Sequence, residues 1–419
     1  MVGARIITLD NKKILNQGTV VIRQGRISCI GNCETTDVDK VLNLSGSTII
    51  PGFVDLHAHH NRESAGRIPS RGPEYAIYLA YGVTTTRDPA ASSINIWRAK
   101  ELVETGMVIG PRIFGTGETL TPGDAYLKAD IISADEANYQ AERLHSWGAE
   151  SLKQYLQNRR ANAQWIVDAG RNRNMVVTSE GGNFNLEHNI GLVMDGHAGF
   201  EHALVQFPIY SDVSKFLGQA NFHYSPTVIV GGSAPWSEDY FFQKSKVWQD
   251  PKQQRWLPWR QLIPHARRHM MRPVTDYGFS IVAQGMADII ANGGYGTIGS
   301  HGQQHGIASH WEVWMYAEAL GPMGALEVAS LHGAHFIGVD GDIGSISKGK
   351  LGDLIVLNSN PLDDIQNTLD MEYVMKGGVL YDAATLNEIW PKPKSFGEYY
   401  WIDSNAFKTD TLSIDHWKN

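Results

Sequence analysis

The sequence predicts an α/β fold: a (β/α)8 TIM barrel with a small β-sandwich domain built from both chain ends. Three observations carry this reading. Apolar strand-like runs alternate with segments of helical spacing eight times through the middle of the chain, and eight such units close into a ring rather than an open sheet. Short strands of a different, turn-rich kind occupy both ends. Polar residues recur at the C-terminal ends of the central strands, the end at which such barrels carry their chemistry.

Residues 1–50 alternate as short strands, in ARIITL, GTVVIRQ, RISCIG and STIIPG, between Asn-, Gly- and Asp-rich turns. Similar material returns at Asp353–Leu357 and Tyr373–Tyr381, so residues 1–50 and 340–385 are expected to meet as one composite domain. The barrel is expected over residues 51–339. Its strands are predicted at Val54–His59, Gly82–Asp88, Arg112–Thr116, Glu150–Tyr155, Met175–Glu180, Gly199–Ala203, His223–Val230 and Gly296–His301. Helical spacing follows most of them, as at Asp135–Trp147, Gln164–Asn172 and Gly324–Ile337. Residues 231–280 are too long for a simple loop and hold Trp236, Trp248, Trp256 and Trp259 with Tyr240, Phe241 and Phe242. This excursion is either a packed helical layer or a lid over the substrate mouth. The tail, 386–419, contains Pro391 and Pro393 and is expected to wrap the surface or join a subunit contact.

With 42% hydrophobic and 19% charged residues among 419, the chain can bury a large core, which excludes wholesale disorder. A formal charge of −8 opposes a nucleic-acid or anionic-membrane surface. No run approaches the ~20 apolar residues of a membrane span, and the N-terminus alternates like a strand instead of forming a signal peptide. A small-molecule substrate is the expected partner, with a homo-oligomer compatible. The compartment is open: cytoplasmic as written, periplasmic or secreted for a processed form or excised domain. Two cysteines, Cys29 and Cys33, exclude a disulfide scaffold and a Cys-only zinc site, and ordinary thiols are expected. Sixteen histidines point to metal chemistry.

The strongest local signal is PGFVDLHAH, residues 51–59. Positions i and i+2 of a strand share a face, so His57 and His59 can aim together into the barrel mouth and bind one metal through imidazole nitrogen. His60 would point the other way. Lys153, Glu180, His202 and His301 end later strands. No Ser-His-Asp order, nucleophile elbow or phosphate-binding glycine loop is present.

PGFVDLHAH followed by GVTTTRD (82–88) resembles the opening of the amidohydrolase superfamily. ALEVAS (325–330) and GSISKGKLGDLIVL (344–357) resemble its return to the small domain. Within the superfamily the chain is similar to the imidazolonepropionase- and prolidase-like branch. SLKQYLQNRRA, VVTSEGG and SHGQQHG look closest to an amidohydrolase domain found fused to Tol-type β-propellers. The resemblance implies two divalent ions, zinc or alternatively Mn2+, Co2+ or Fe2+, holding a hydroxide that attacks a carbon–nitrogen bond in an amide, dipeptide or cyclic amide, not a long peptide. It implies His57 and His59 on the first metal, a carboxylated Lys153 bridging both, and His202 on the second.

Two positions depart from the family's pattern. Strand five usually ends in histidine, and here carries Glu180. Strand eight usually ends in an aspartate that binds metal and acts as base, and here His301 stands at or beside that place. The exchange implies Glu180 on the second metal, His301 near the first, and one or both as proton carriers, His301 titrating near neutrality. Tyr155, Tyr224 and His305 are candidate substrate contacts. His310 suits helix packing, His197 a structural role, Asp88 a hydrogen-bond acceptor, and Arg159 and Arg160 a solvated helix face or carboxylate recognition. A lactonase or esterase, a heterocycle deaminase, and a catalytically inactive binding barrel are the alternative functions.

Overall fold

The structure is a computed structural model, and it describes residues 1–60, 71–122, 130–181, 185–204, 206–232, 235–266, 271–399 and 401–402. The N-terminal strands are β1 (Val2–Ile7), β2 (Ile14–Arg23), β3 (Arg26–Gly31) and β4 (Thr48–Pro51). Eight short parallel strands follow: β5 (Phe53–Asp55), β6 (Val83–Asp88), β7 (Arg112–Gly115), β8 (Ser151–Gln154), β9 (Val176–Glu180), β10 (Gly199–Glu201), β11 (His223–Ser225) and β12 (Tyr295–Gly296). The last four are β13 (Leu354–Leu357), β14 (Met371–Lys376), β15 (Val379–Asp382) and β16 (Glu388–Trp390).

Both chain ends meet in one eight-stranded sheet, ordered β16-β15-β14-β13-β4-β1-β2-β3. The link is β4, which pairs parallel to β1 and antiparallel to β13, opposing Ile50 to Ile355. The central strands form two parallel sheets, β5-β6-β7 and β12-β11-β10-β9-β8. Parallel bridges join them at both edges, Asp55 to Ile298 and Leu120 to Gln154. Parallel sheets need helices on their faces, and the connecting helices supply them. Ala134–Ser146 starts where the Ser133 hydroxyl accepts the Glu136 N–H, with Asp135 and Glu136 in its first turn and Arg143 and His145 in its last.

Three predicted strands stop four or five residues earlier than expected. The first ends at Asp55, whose carboxylate takes the His57 N–H at 3.1 Å in place of a ladder partner. His57 and His59 therefore sit on a turn and not on alternating strand positions, although Ala58 N–H still bonds to Arg87 O. The His223 strand ends at Ser225 because Pro226 has no N–H to donate, and a short helix, Val228–Gly231, follows. Regular pairing before His301 ends at Gly296. The predicted helix at Gly324–Ile337 is the end of a longer one, Ile307–Glu327, kinked at Gly321 (φ 67°) before Pro322 and continuing through a π-helical turn, Val328–His332.

Cys29 and Cys33 form a disulfide, contrary to the expected thiols. The turn after β3 brings their Cα atoms to 6.0 Å, within bridging range. Much of the excursion's aromatic content is core: Phe241 stacks on Trp311 at 4.8 Å, and Trp256 is fully buried. The described part of the tail covers Trp256 with Phe396 and Tyr399 and stacks Tyr399 on Trp401 at 4.2 Å. Among the described residues no helix is long and apolar enough to cross a membrane.

Candidate metal centre

All six residues expected as metal ligands sit at or just beyond the C-terminal ends of the parallel strands: His57 and His59 after β5, Lys153 in β8, Glu180 ending β9, His202 after β10 and His301 after β12. The four imidazoles pack together, with ring centroids 4.8 Å apart for His57–His59 and His57–His202 and 5.0 Å for His57–His301 and His202–His301. One ring nitrogen from each of His57, His202 and His301 lies within 4.8 Å of the other two.

Three of the rings are gripped from behind at Nδ1. His57 Nδ1 lies 2.9 Å from Glu201 Oε2, and His59 Nδ1 lies 3.1 Å from Asp88 Oδ1. His202 Nδ1 lies 2.5 Å from Thr227 Oγ1, whose own hydrogen goes to Pro226 O. Each partner oxygen can accept, so each Nδ1 donates, which in the neutral ring turns the Nε2 lone pair toward the centre. His57 Nε2 and His59 Nε2 then face each other at 3.1 Å. His202 Nε2 faces Glu180 Oε1 at 3.2 Å.

Two lone pairs at such distances repel unless a positive charge lies between them. Two imidazole nitrogens on one tetrahedral zinc ion stand roughly 3.3 Å apart, from Zn–N of about 2.0–2.1 Å. A shared proton can fill either contact, and the imidazole donors gathered here, His57, His202 and His301 among them, also fit a divalent cation. Lys153 Nζ, fully buried, lies 2.9 Å from Glu180 Oε2 without the directional geometry of a hydrogen bond. A buried amine with unsatisfied donors is costly, and a carbamate at this nitrogen would replace those donors with acceptors for cations.

Burial, reinforced by Lys153 and the neighbouring imidazoles, holds His57 well below the usual imidazole range. The same causes, burial first and then His59, His202 and Lys153, hold His301 at about 2. Its expected titration near neutrality is thereby corrected: burial first, and then the charge of its neighbours, keeps this ring neutral. Burial works to raise Glu180, but Lys153 and His202 outweigh it and bring the carboxyl to about 2. Lys153 is raised despite its burial, by Glu180, Tyr155 and Glu201. Tyr155 lies at the centre's edge, with Lys153 Nζ 4.9 Å from its ring.

The other candidates are engaged elsewhere. The Tyr224 hydroxyl is buried and accepts the Leu204 N–H at 2.8 Å. His305 is buried against the Tyr78 ring, and its carbonyl accepts from Gln253. His310 bridges Thr368 and Tyr81 O, and His197 bonds to Leu192 O, both in packing positions. Asp88 accepts from His59, His60 N–H and Ala90 N–H. Arg160 is held by Asp195, its Nη2 2.7 Å from Oδ1.

Sequence reasoning missed Glu201 and Arg87. Both are buried, and Arg87 Nη1 lies 2.7 Å from Glu201 Oε1, so one carboxylate serves an arginine and a candidate ligand at once. Both charges stand at the ends of fully buried strands, a position where a charge needs a partner. Thr227 was also missed, because nothing in the chain order places it behind His202.

The Amidohydrolase family model matches residues 265–381. An adenine deaminase of Listeria monocytogenes is 38% identical over 84 residues, which is 20% of this chain and 13% of that protein. The chain thus spans a small part of the curated relatives it matches. Among solved structures, a putative prolidase from Bifidobacterium longum has a TM-score of 0.68 at 20% identity over 94% of this chain and 95% of its own. A Xaa-Pro dipeptidase with bound methionine has a TM-score of 0.69 at 20% identity, over 91% and 98%. A prolidase complexed with N-methylphosphonate-L-proline has a TM-score of 0.69 at 22% identity, again over 91% and 98%.

Proposed function

Taking this chain as a member of the amidohydrolase superfamily, a placement supported by the family match and the prolidase-like structural neighbours, we propose that it is a metal-dependent hydrolase of carbon–nitrogen bonds in small molecules. The substrates would be amides, dipeptides or cyclic amides, not long peptides. The observation that carries this reading is the pair of unmatched acceptor encounters, His57 with His59 and His202 with Glu180. A divalent cation in place of a shared proton would satisfy each of them, and they lie at the ends of parallel strands.

In this reading His57 and His59 would hold one divalent ion, zinc by preference, and Glu180 and His202 the other, with a carboxylated Lys153 and His301 as the further ligands. The bound ions supply Lewis acidity toward a carbonyl and lower the pKa of water. The chain's own groups do the rest. Glu201, Asp88 and Thr227 lock three imidazoles in one tautomer. Glu180, fully ionised, and His301, neutral, are the acceptors available for a proton leaving water and returning to the departing nitrogen. Tyr155 lines the substrate side. Architecturally, the two parallel sheets and their two bridges support a closed (β/α)8 barrel over residues 51–339, with residues 1–50 and 340–385 as its β-sandwich companion.

The test combines elemental analysis with a hydrolysis screen. The purified protein is expected to carry close to two divalent ions per chain and to release amine from N-acyl amino acids, Xaa-Pro dipeptides or lactams. Replacing His57 and His59 together should remove at least one ion. Ammonia release from adenine, with no amide cleavage, would favour the deaminase reading suggested by the local adenine deaminase match. A protein without metal and without activity would leave a binding barrel.

A further inference from the structure

We propose that Glu312 is a positioning residue that fixes the His202–His301 side of the centre by tying together the backbone beyond two strand ends. The inference rests on the metal-centre reading above. Glu312 lies in the helix Ile307–Glu327 and is fully buried. Its carboxyl is directed at backbone and not at a candidate ligand: Oε1 accepts the Ile229 N–H at 2.7 Å, and Oε2 accepts the Tyr316 hydroxyl and faces the Gly299 N–H at 3.4 Å.

Each backbone group it holds stands two residues from a key side chain. Ile229 follows Thr227, whose hydroxyl grips His202 Nδ1 at 2.5 Å. Gly299 precedes His301. The three side-chain-bearing residues are all in left-handed backbone: His202 at φ 79°, Thr227 at φ 43° and His301 at φ 57°. L-residues leave that region unless the surroundings hold them there. Thr227 and His301 are therefore presented by backbone that requires outside support, and Glu312 supplies it beside both from a single side chain, reaching His202 through the Thr227 hydroxyl.

The packing leaves little slack between these parts. A Cβ on Gly299 would stand 2.7 Å from His57 Cβ and 2.8 Å from Thr227 Cγ2. A shift of the Gly299 backbone would therefore press on the His57 and Thr227 side chains together. Burial pushes the Glu312 carboxyl up to about 8, against its hydrogen bonds to Tyr316, Ile229 and Gly299. At neutral pH the acid form predominates, and a glutamine keeps its shape and the two shorter bonds, with an oxygen for the Ile229 N–H and an amide N–H for the Tyr316 oxygen, but gives up the long Gly299 contact.

The experiment compares Glu312→Gln and Glu312→Met in the full chain. The readouts are zinc affinity by chelator competition, circular dichroism and thermal midpoint. Glu312→Gln should bind zinc within about threefold of the unsubstituted chain. Glu312→Met, of similar length but without hydrogen bonds, should stay folded yet weaken at least one zinc by tenfold or more, the scale seen when a ligand's supporting partner is removed. Native zinc affinity in folded Glu312→Met overturns the inference. So does an equal loss in Glu312→Gln, since the retained bonds to Ile229 and Tyr316 would then support nothing. Should Glu312→Met fail to fold, Thr227→Val decides: tenfold weaker zinc supports the route through His202, and unchanged affinity overturns it. No zinc uptake by the unsubstituted chain overturns the metal-centre reading and this inference with it, whereas native uptake by Glu312→Met overturns this inference alone.

Discussion

Glu201 Oε2 lies 2.9 Å from His57 Nδ1, and this contact links a candidate metal ligand to the charge balance of the buried strand ends. The same carboxylate's Oε1 holds Arg87, whose guanidinium also reaches the Ser151 and Thr178 hydroxyls and Leu56 O. His57 is thereby fixed in one tautomer by a group that itself cannot move without leaving an arginine unpaired. Replacing Glu201 by glutamine should weaken metal binding 10–100-fold, the range for a partner oriented behind a ligand. It should also lower stability by about 3–5 kcal/mol, since breaking one side of a buried ion pair strands the other. Chelator competition and denaturant unfolding measure the two effects separately. Unchanged metal affinity would show that the His57–Glu201 contact is structural only.

Lys153→Ala should lose metal and activity together if the lysine carries a carbamate. Short carboxylates supplied with bicarbonate should then restore part of both, by placing acceptor oxygens where the carbamate stood. Intact-mass measurement under carbon dioxide gives an independent check. An unmodified lysine in a metal-loaded crystal, paired only with Glu180, would rule the modification out.

The exchange of ligand types between Glu180 and His301 predicts distinct phenotypes. His301→Asn should reduce kcat by roughly 10²-fold or more, the usual scale for losing a positioned acid–base group. The metal at His57 and His59 should stay bound. His301→Asp supplies the residue usual at this place in the resembled family and should recover activity if the two share a role. Near-native turnover in His301→Asn would leave Glu180 as the proton acceptor.

Acid should destabilise the fold well above the carboxylate range. Burial holds His197 and His332 at about 4 and His223 and His310 at about 3. In the unfolded chain each would titrate near 6.5. Between about 6.5 and 4 the unfolded chain therefore binds more protons than the folded one, and stability falls as pH falls, by up to about 1.4 kcal/mol per pH unit for each histidine. Thermal midpoints at pH 7.5 and pH 5 should show the drop. His223 offers a clean variant: its ring stacks on Tyr295 at 4.7 Å, and among the described residues neither ring nitrogen has a hydrogen-bond partner. His223→Phe keeps the stacking and removes one titration, so it should shrink the drop. An unaltered pH slope would place the acid sensitivity elsewhere.

The chain by itself determined which polar residues gather at the C-terminal side of the central strands, because polar side chains closing apolar runs are visible as a pattern. His57, His59, Lys153, Glu180, His202 and His301 could all be named from it, and the geometry gathers all six. The meeting of the two ends was legible for the same reason: short alternating strands with unpaired edges need partners, and β4 with β13 provides the pairing. Where the strands stop was not legible, since Asp55 takes the His57 N–H through its side chain, and left-handed His202, Thr227 and His301 depend on contacts distant in sequence. The supporting groups were hidden too. Glu201 meets Arg87 across 114 positions, and Glu312 meets Ile229 across 83, so no local pattern couples them. The protonation behaviour of His301 likewise belongs to the fold: an isolated imidazole titrates near neutrality, and burial, with His59, His202 and Lys153 beside it, carries it to about 2.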